Sequence, residues 1–154
     1  MARAECWPNK ICDAIEIALK RIDRVQDAGK WFTVPSVSRG FMIQDVIAAK
    51  KPLLRIETGD YEQTPDMASR HKGVLIVYVW CLTQAAARDS EAEINELVSD
   101  VIRAITDDET LGLGGGVEAQ PVGYAPDVDA MERYQFGVAR VNVRVEFTWD
   151  HGSP

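Results

Sequence analysis

The residues able to do chemistry are few and scattered. His71 stands in a polar segment and His151 close to the last residue, and neither sits beside a serine, cysteine or carboxylate pattern that would make it a catalytic base. Cys6, Cys12 and Cys81 lack the CxxC or Cys/His spacing that holds zinc. Cys81 falls inside an apolar run and reads as a small buried hydrophobe, and the odd count points to a reducing compartment. Asp107-Asp108-Glu109 and Asp127-Val128-Asp129 are the acidic clusters of cation-binding type. The first lacks the glycine and alternating oxygens of an EF-hand loop, and acidic residues around polar turns ordinarily solvate them. Leu111-Gly112-Leu113-Gly114-Gly115-Gly116 lacks the Lys-Ser/Thr of a P-loop and follows a helix instead of opening one, so it reads as a turn. No catalytic residue, cofactor or metal is assigned on these grounds. What remains is surface charge: Arg140, Arg144 and Glu146 share one face of a strand, where charges in a row either pair across an interface or meet water.

The charge balance narrows the partners. Basic residues number 17 against 24 acidic ones, a formal −7. Sequence-independent nucleic-acid binding needs clustered Lys and Arg to displace counterions, and the basic residues here are scattered and outnumbered. A DNA-binding role is disfavoured, whereas an acidic surface lets DNA pass without adhering. The 154 residues fit one domain over 1–154, and a hydrophobic fraction of 46% argues against disorder. Met1-Ala2-Arg3-Ala4-Glu5 is not followed by an apolar leader core, and no apolar stretch reaches the roughly 20 residues of a membrane helix. A soluble protein made in a cytoplasm is expected.

The elements that position these residues follow from periodicity. Ile11, Ile15, Ala18, Leu19, Ile22 and Val25 recur at helical spacing and predict a one-sided helix over 8–25, with Pro8 in its first turn. A strand is expected over 31–34 and another over 53–57, with a short helix or turn between them near 43–49. The run Val74-Leu75-Ile76-Val77-Tyr78-Val79-Trp80-Cys81-Leu82 reads as a central strand covered on most of both faces, one by the chain's own helices and the other by a neighbouring subunit. The polar stretch 58–72 is expected to be a long mobile loop joining an antiparallel pair, and it carries the interface candidates Asp60, Tyr61, Glu62 and Arg70. Ser90-Glu91-Ala92-Glu93 matches a capping box, and Ile94, Leu97, Val98, Val101, Ile102 and Ile105 mark the buried stripe of the helix that follows. Glu91, Glu93, Asn95, Glu96, Asp100 and Arg103 are placed on its wet side, and Asp107, Asp108 and Glu109 beyond its end are further interface candidates. A strand starting over 117–122 and a polar segment over 123–132 lead to a last strand over 136–149. There Ala139, Val141, Val143, Val145, Phe147 and Trp149 alternate with Arg140, Asn142, Arg144, Glu146 and Thr148. The order implies an α+β domain: a mainly antiparallel sheet of four to five strands with two helices packed on one face.

In that order of elements, and in several local phrases, the chain resembles the tail terminator and tail-completion (minor tail) proteins of long-tailed bacteriophages. The phrases are Lys51-Pro52-Leu53-Leu54-Arg55-Ile56, the apolar strand over 74–82, Val101-Ile102-Arg103-Ala104-Ile105 with the following Leu111-Gly112, and the closing strand; the similarity spans most of 9–149. The resemblance implies a non-enzymatic virion protein, located in the tail or neck and assembled in the host cytoplasm. It implies a homohexameric ring that caps the tail tube, ends its polymerisation and offers the head–tail joining surface. Its partners would be itself, the tail-tube protein and a head-completion or neck protein, with genomic DNA only passing through the lumen and no membrane contact. Another neck or head–tail connector protein, or a small α+β ligand-binding domain, are the alternative readings.

Overall fold

In the computed structural model the described residues are 6–34, 36–40, 51–67, 70–84 and 90–150. The helix expected near 43–49 lies outside them, as do His151 and the Ser90 side chain on which the capping box depends. Among the described residues the elements run α1 (Trp7–Leu19), β1 (Ser36–Arg39), β2 (Leu53–Met67), β3 (Arg70–Thr83), α2 (Ser90–Thr106), β4 (Val117–Pro126), α3 (Val128–Tyr134) and β5 (Gly137–Asp150). The strands form one sheet in the order β1-β2-β3-β5-β4, parallel between β1 and β2 and antiparallel elsewhere. This is an α+β fold with β3 at its centre. No helix among the described residues is long and apolar enough to cross a membrane.

Period-two patterning decides what lies on each side. The odd residues Leu75, Val77, Val79 and Cys81 of β3 and Ala139, Val141, Val143, Val145 and Phe147 of β5 are fully buried in one cluster. Ile11, Cys12, Ile15 and Leu19 of α1 and Ile94, Leu97, Val98, Val101 and Ile105 of α2 close over them. Each such Val or Leu contributes about 1.5–3 kcal/mol by leaving water, so this layer dominates the fold's stability. Burial also pushes the Cys81 thiol far above its ordinary range, which leaves it protonated and inert.

α1 ends at Leu19, earlier than its periodicity implies. Arg21 N–H and Ile22 N–H bond to Ala18 and Leu19 carbonyls three residues back, and this tighter turn swings Ile22 into the core while Val25 stays 88% exposed. The expected strand over 31–34 is absent for a related reason. The amides of Trp31 and Phe32 donate to the carboxylate of Asp100 at 2.9 Å, and Val34 N–H donates to Ile22 O at 3.1 Å, so their donors are taken and β1 begins only at Ser36. Asp100 is therefore not on the wet side of α2: it is 0% exposed beneath the 27–33 segment, which Arg103 also ties down through Gly29 O at 2.6 Å.

The described part of the stretch expected to be a loop, 58–67 and 70–72, is strand. β2 and β3 continue through it as an antiparallel arm, with register shifts between Thr58 and Tyr61 and between Pro65 and Met67. The far end of β5 extends the ladder on the other side of β3 as far as Arg70↔Asp150. A stack of rings fixes the arm from the helix side. Phe147 lies 5.2 Å from Trp7, 6.0 Å from Tyr61 and 5.3 Å from Trp149 between ring centroids, and His71 stacks on Trp149 at 5.3 Å. Gly73 makes room for this stack, because an added Cβ would lie 2.5 Å from Phe147 Cζ.

The acidic clusters turn out to be local structural devices. Asp108 accepts from Thr110 N–H, Thr110 Oγ1 and Gly112 N–H and so staples the turn after α2, where Leu111 and Gly112 take positive φ of 53° and 71°. Asp127 caps α3 by accepting from Ala130 N–H at 3.0 Å. That short helix occupies the segment expected to be merely polar. It sits on the face opposite α1 and α2, where Ala130, Met131 and Tyr134 pack on Leu53, Leu82, Phe136 and Val138.

Candidate interaction surface

The same alternation that buries the odd positions of β5 sends its even positions outward, and the neighbouring strands bring matching residues alongside. Read across the sheet in register, one row holds Arg55, Trp80, Arg140 and Ala125, and the next holds Glu57, Tyr78, Asn142 and Gly123. Then come Ile76, Arg144 and Gln120, followed by Glu62, Val74, Glu146 and Glu118. α3 covers only the end marked by Leu53, Leu82 and Val138. Trp80 packs on the same cluster beside α3, and beyond it Val74, Ile76 and Tyr78 are half-buried with no helix over them among the described residues.

Charges on this face are organised unevenly. Arg144 donates a short hydrogen bond to Glu146, and Lys72 Nζ stands 3.8 Å from the same carboxylate. The Arg144 hydrogen bond, more than the two neighbouring positive charges, holds the Glu146 carboxyl below its ordinary range, although Glu118 is its cross-strand neighbour. Arg140 has no carboxylate partner among the described residues. Its guanidinium lies 4.4 Å from the Tyr78 ring centroid and 5.7 Å from that of Trp80, whose Nε1–H donates to Glu57 at 2.9 Å. At the middle of the face the Asn142 Oδ1 is buried and has no hydrogen-bond partner among the described residues.

The residues singled out from the sequence fall into three places. Arg140, Arg144, Glu146 and Glu62 share the open face. Tyr61 points to the opposite side, its ring on Phe147 and its hydroxyl donating to Gln63 at 3.3 Å; burial, and then the nearby Cys6, push its phenol upward. Asp60 is exposed at the bulge beside it, and Arg70 opens β3 at the far end of the arm. Asp107, Asp108 and Glu109 lie on the helix side of the sheet, and hydrogen bonds from Thr110, then from Gly112, hold the Asp108 carboxyl low. Sequence reasoning misses Arg55, Lys72, Tyr78 and Trp80 as surface residues; the available signal is that the polar-tipped members of the apolar run all fall on even positions.

A groove of about 560 Å³ runs between α1 and the turn after α2, lined by residues that include Lys10, Arg21, Lys30, Asp13, Asp27 and Asp107. It holds no histidine or cysteine, and among the described residues no group of three His, Cys, Asp or Glu is placed to hold a metal ion. Several of its charges have local partners: Asp13 pairs with Arg39 at 3.2 Å and Asp27 caps a turn at Gly29, while the buried Lys30 ammonium lies 3.9 Å from Asp107 with no hydrogen-bond partner among the described residues. The open sheet face is thus the stronger candidate site, and its chemistry is recognition. No family model matches the chain, and no curated protein matches it.

Proposed function

We propose that the chain is a structural virion protein that assembles into a ring, a homohexamer, capping a phage tail tube, ending its polymerisation and forming the surface to which the head joins. The single observation that carries the reading is the half-buried part of the sheet face around Val74, Ile76 and Tyr78, over which no helix of the described chain lies. Apolar side chains gathered on one face and rimmed by charge are the usual composition of a protein interface, with aromatic and Arg residues at its centre. Together with the resemblance in element order, this favours assembly over catalysis. The groove beside α1 offers no paired nucleophile and base. Another neck or connector role would use the same face.

Light scattering coupled to size exclusion, at high protein concentration and with tail-tube protein present, tests the reading. A species near six subunits is expected, following the hexamer that the resemblance implies. A strict monomer under all those conditions overturns it.

A further inference from the structure

Resting on the ring reading, we infer how the copies join: the open sheet face of one copy seats on the acidic turn after α2 of the next. Two patches that sit on opposite sides of one subunit and complement each other make a head-to-tail contact, and such contacts close into rings where the rotation permits. The sheet supplies the first patch. Arg55 and Arg140 flank Trp80 in one row, and neither meets a carboxylate among the described residues, whereas Arg144 is already engaged by Glu146. The turn supplies the second. Asp107 has only the distant Lys30 ammonium as an ion partner among the described residues, and Glu109 is exposed with no side-chain partner among them.

The position of those carboxylates strengthens the assignment. They follow the C-terminus of α2, where the helix dipole disfavours negative charge, so local electrostatics alone does not explain them. Asp108 is accounted for by the turn it staples and Asp107 in part by the buried Lys30 ammonium; Glu109 is not accounted for by any side-chain partner among the described residues. The size also fits. From Arg70 to Trp80 β3 is about 36 Å long, and four strands about 4.8 Å apart give a face of about 700 Å², close to the ~800 Å² per partner of a standard interface. A strand added at the β4 edge is disfavoured, because β4 carries Pro121 and Pro126, which lack the amide an added strand would need.

The test reverses each patch by itself and then both. Arg55→Glu with Arg140→Glu in one chain, and Asp107→Asn with Glu109→Lys in another, should each raise the concentration needed for assembly more than about tenfold, with circular dichroism and melting temperature close to the parent's; Asp107 is only neutralised because a cation there would face the buried Lys30 ammonium. Asp108 is left in place because it holds the turn. An equimolar mixture of the two variants, and a single chain carrying all four changes, should both regain the assembled mass, since every contact again joins opposite charges. Unchanged assembly of either variant, or no recovery in both the mixture and the fourfold chain, overturns the contact while a parent ring leaves the ring reading standing. A parent that stays monomeric with tube protein present overturns both. Recovery in the fourfold chain but not in the mixture means a ring of odd order, which supports the contact and overturns the hexamer.

Discussion

Removing the Asp100 carboxylate should cost more stability than any other single polar change among the described residues. Its Oδ2 accepts both Trp31 N–H and Phe32 N–H at 2.9 Å, and Oδ1 is 3.2 Å from Trp31 N, with the side chain 0% exposed. In Asp100→Ala two amides lose a charged acceptor, at about 1–3 kcal/mol each. Part of that is returned, because a buried carboxylate no longer has to be desolvated. A net loss of about 3 kcal/mol follows, or roughly 6–12 °C in melting temperature for a domain of this size. Asp100→Asn is the informative partner. Both amides converge on one oxygen, so an amide side chain with its oxygen at the Oδ2 position keeps both bonds and loses only their charge, and about 1–2 kcal/mol is expected.

Urea unfolding monitored by circular dichroism gives both values, and amide exchange at Trp31 and Phe32 reports whether the 27–33 segment has come loose. If Asp100→Ala unfolded within about 0.5 kcal/mol of the parent, the carboxylate would not be what holds the segment, and the explanation for the missing strand over 31–34 would fail with it.

Other consequences follow from the same geometry. Val143→Asp, which places an unpaired charge in the fully buried layer, should leave the chain unfolded by circular dichroism at 25 °C. Gly73→Ala should cost about 1–3 kcal/mol in urea, because the new Cβ meets the Phe147 ring held in the aromatic stack. Glu146 has a folded pKa below its unfolded value, so its contribution is present above its ordinary pKa and lost as pH falls through the folded one. Glu146→Gln should therefore be less stable than the parent by under about 1 kcal/mol near pH 7, the difference vanishing in acid, since the pair is part-exposed; a difference that grew on acidification would contradict this. Ile76→Lys should leave the melting temperature within a few degrees of the parent while abolishing the assembled species in light scattering.

The parts of the fold legible in the sequence are those in which adjacent residues carry the whole signal. In β5 each buried odd residue is followed by a polar even one, so both the strand and its open face, with Arg140, Arg144 and Glu146, follow from parity. β3 is legible as a strand but not as a two-sided one. Val74 and Ile76 are as apolar as Leu75 and Val77, and the period vanishes although one set lies beneath helices and the other in the open. Long-range contacts explain what is not legible. The amides of Trp31 and Phe32 go to a carboxylate 69 and 68 residues away, and the 58–72 arm is held by rings from Trp7, Phe147 and Trp149. α3 escapes a sequence reading because Asp127 looks like a member of an acidic pair; its signal lies just downstream, where Ala130-Met131-Glu132-Arg133 are good helix formers after a capping Asp.

The sheet's alternation also separates two questions that are commonly entangled. On β5 the neighbours Val143 and Arg144 belong to different processes, because a one-residue step crosses from a layer sealed by α1 and α2 to a face that no described element seals. On β3 the same step from Val77 to Ile76 crosses the same boundary with no change in hydrophobicity. If the open face were ordinary surface, nothing in the subunit's stability would require Val74, Ile76 and Tyr78 to be apolar, and single exposed apolar residues would need no explanation. Three in succession along one face, beside a guanidinium with no carboxylate partner and a buried Asn142 amide oxygen with no hydrogen-bond partner among the described residues, form a contiguous surface that water satisfies poorly. An even-face change that spares folding but ends assembly, set against an odd-face change that ends folding, would therefore locate the interface by parity, whichever surface of the neighbour meets it.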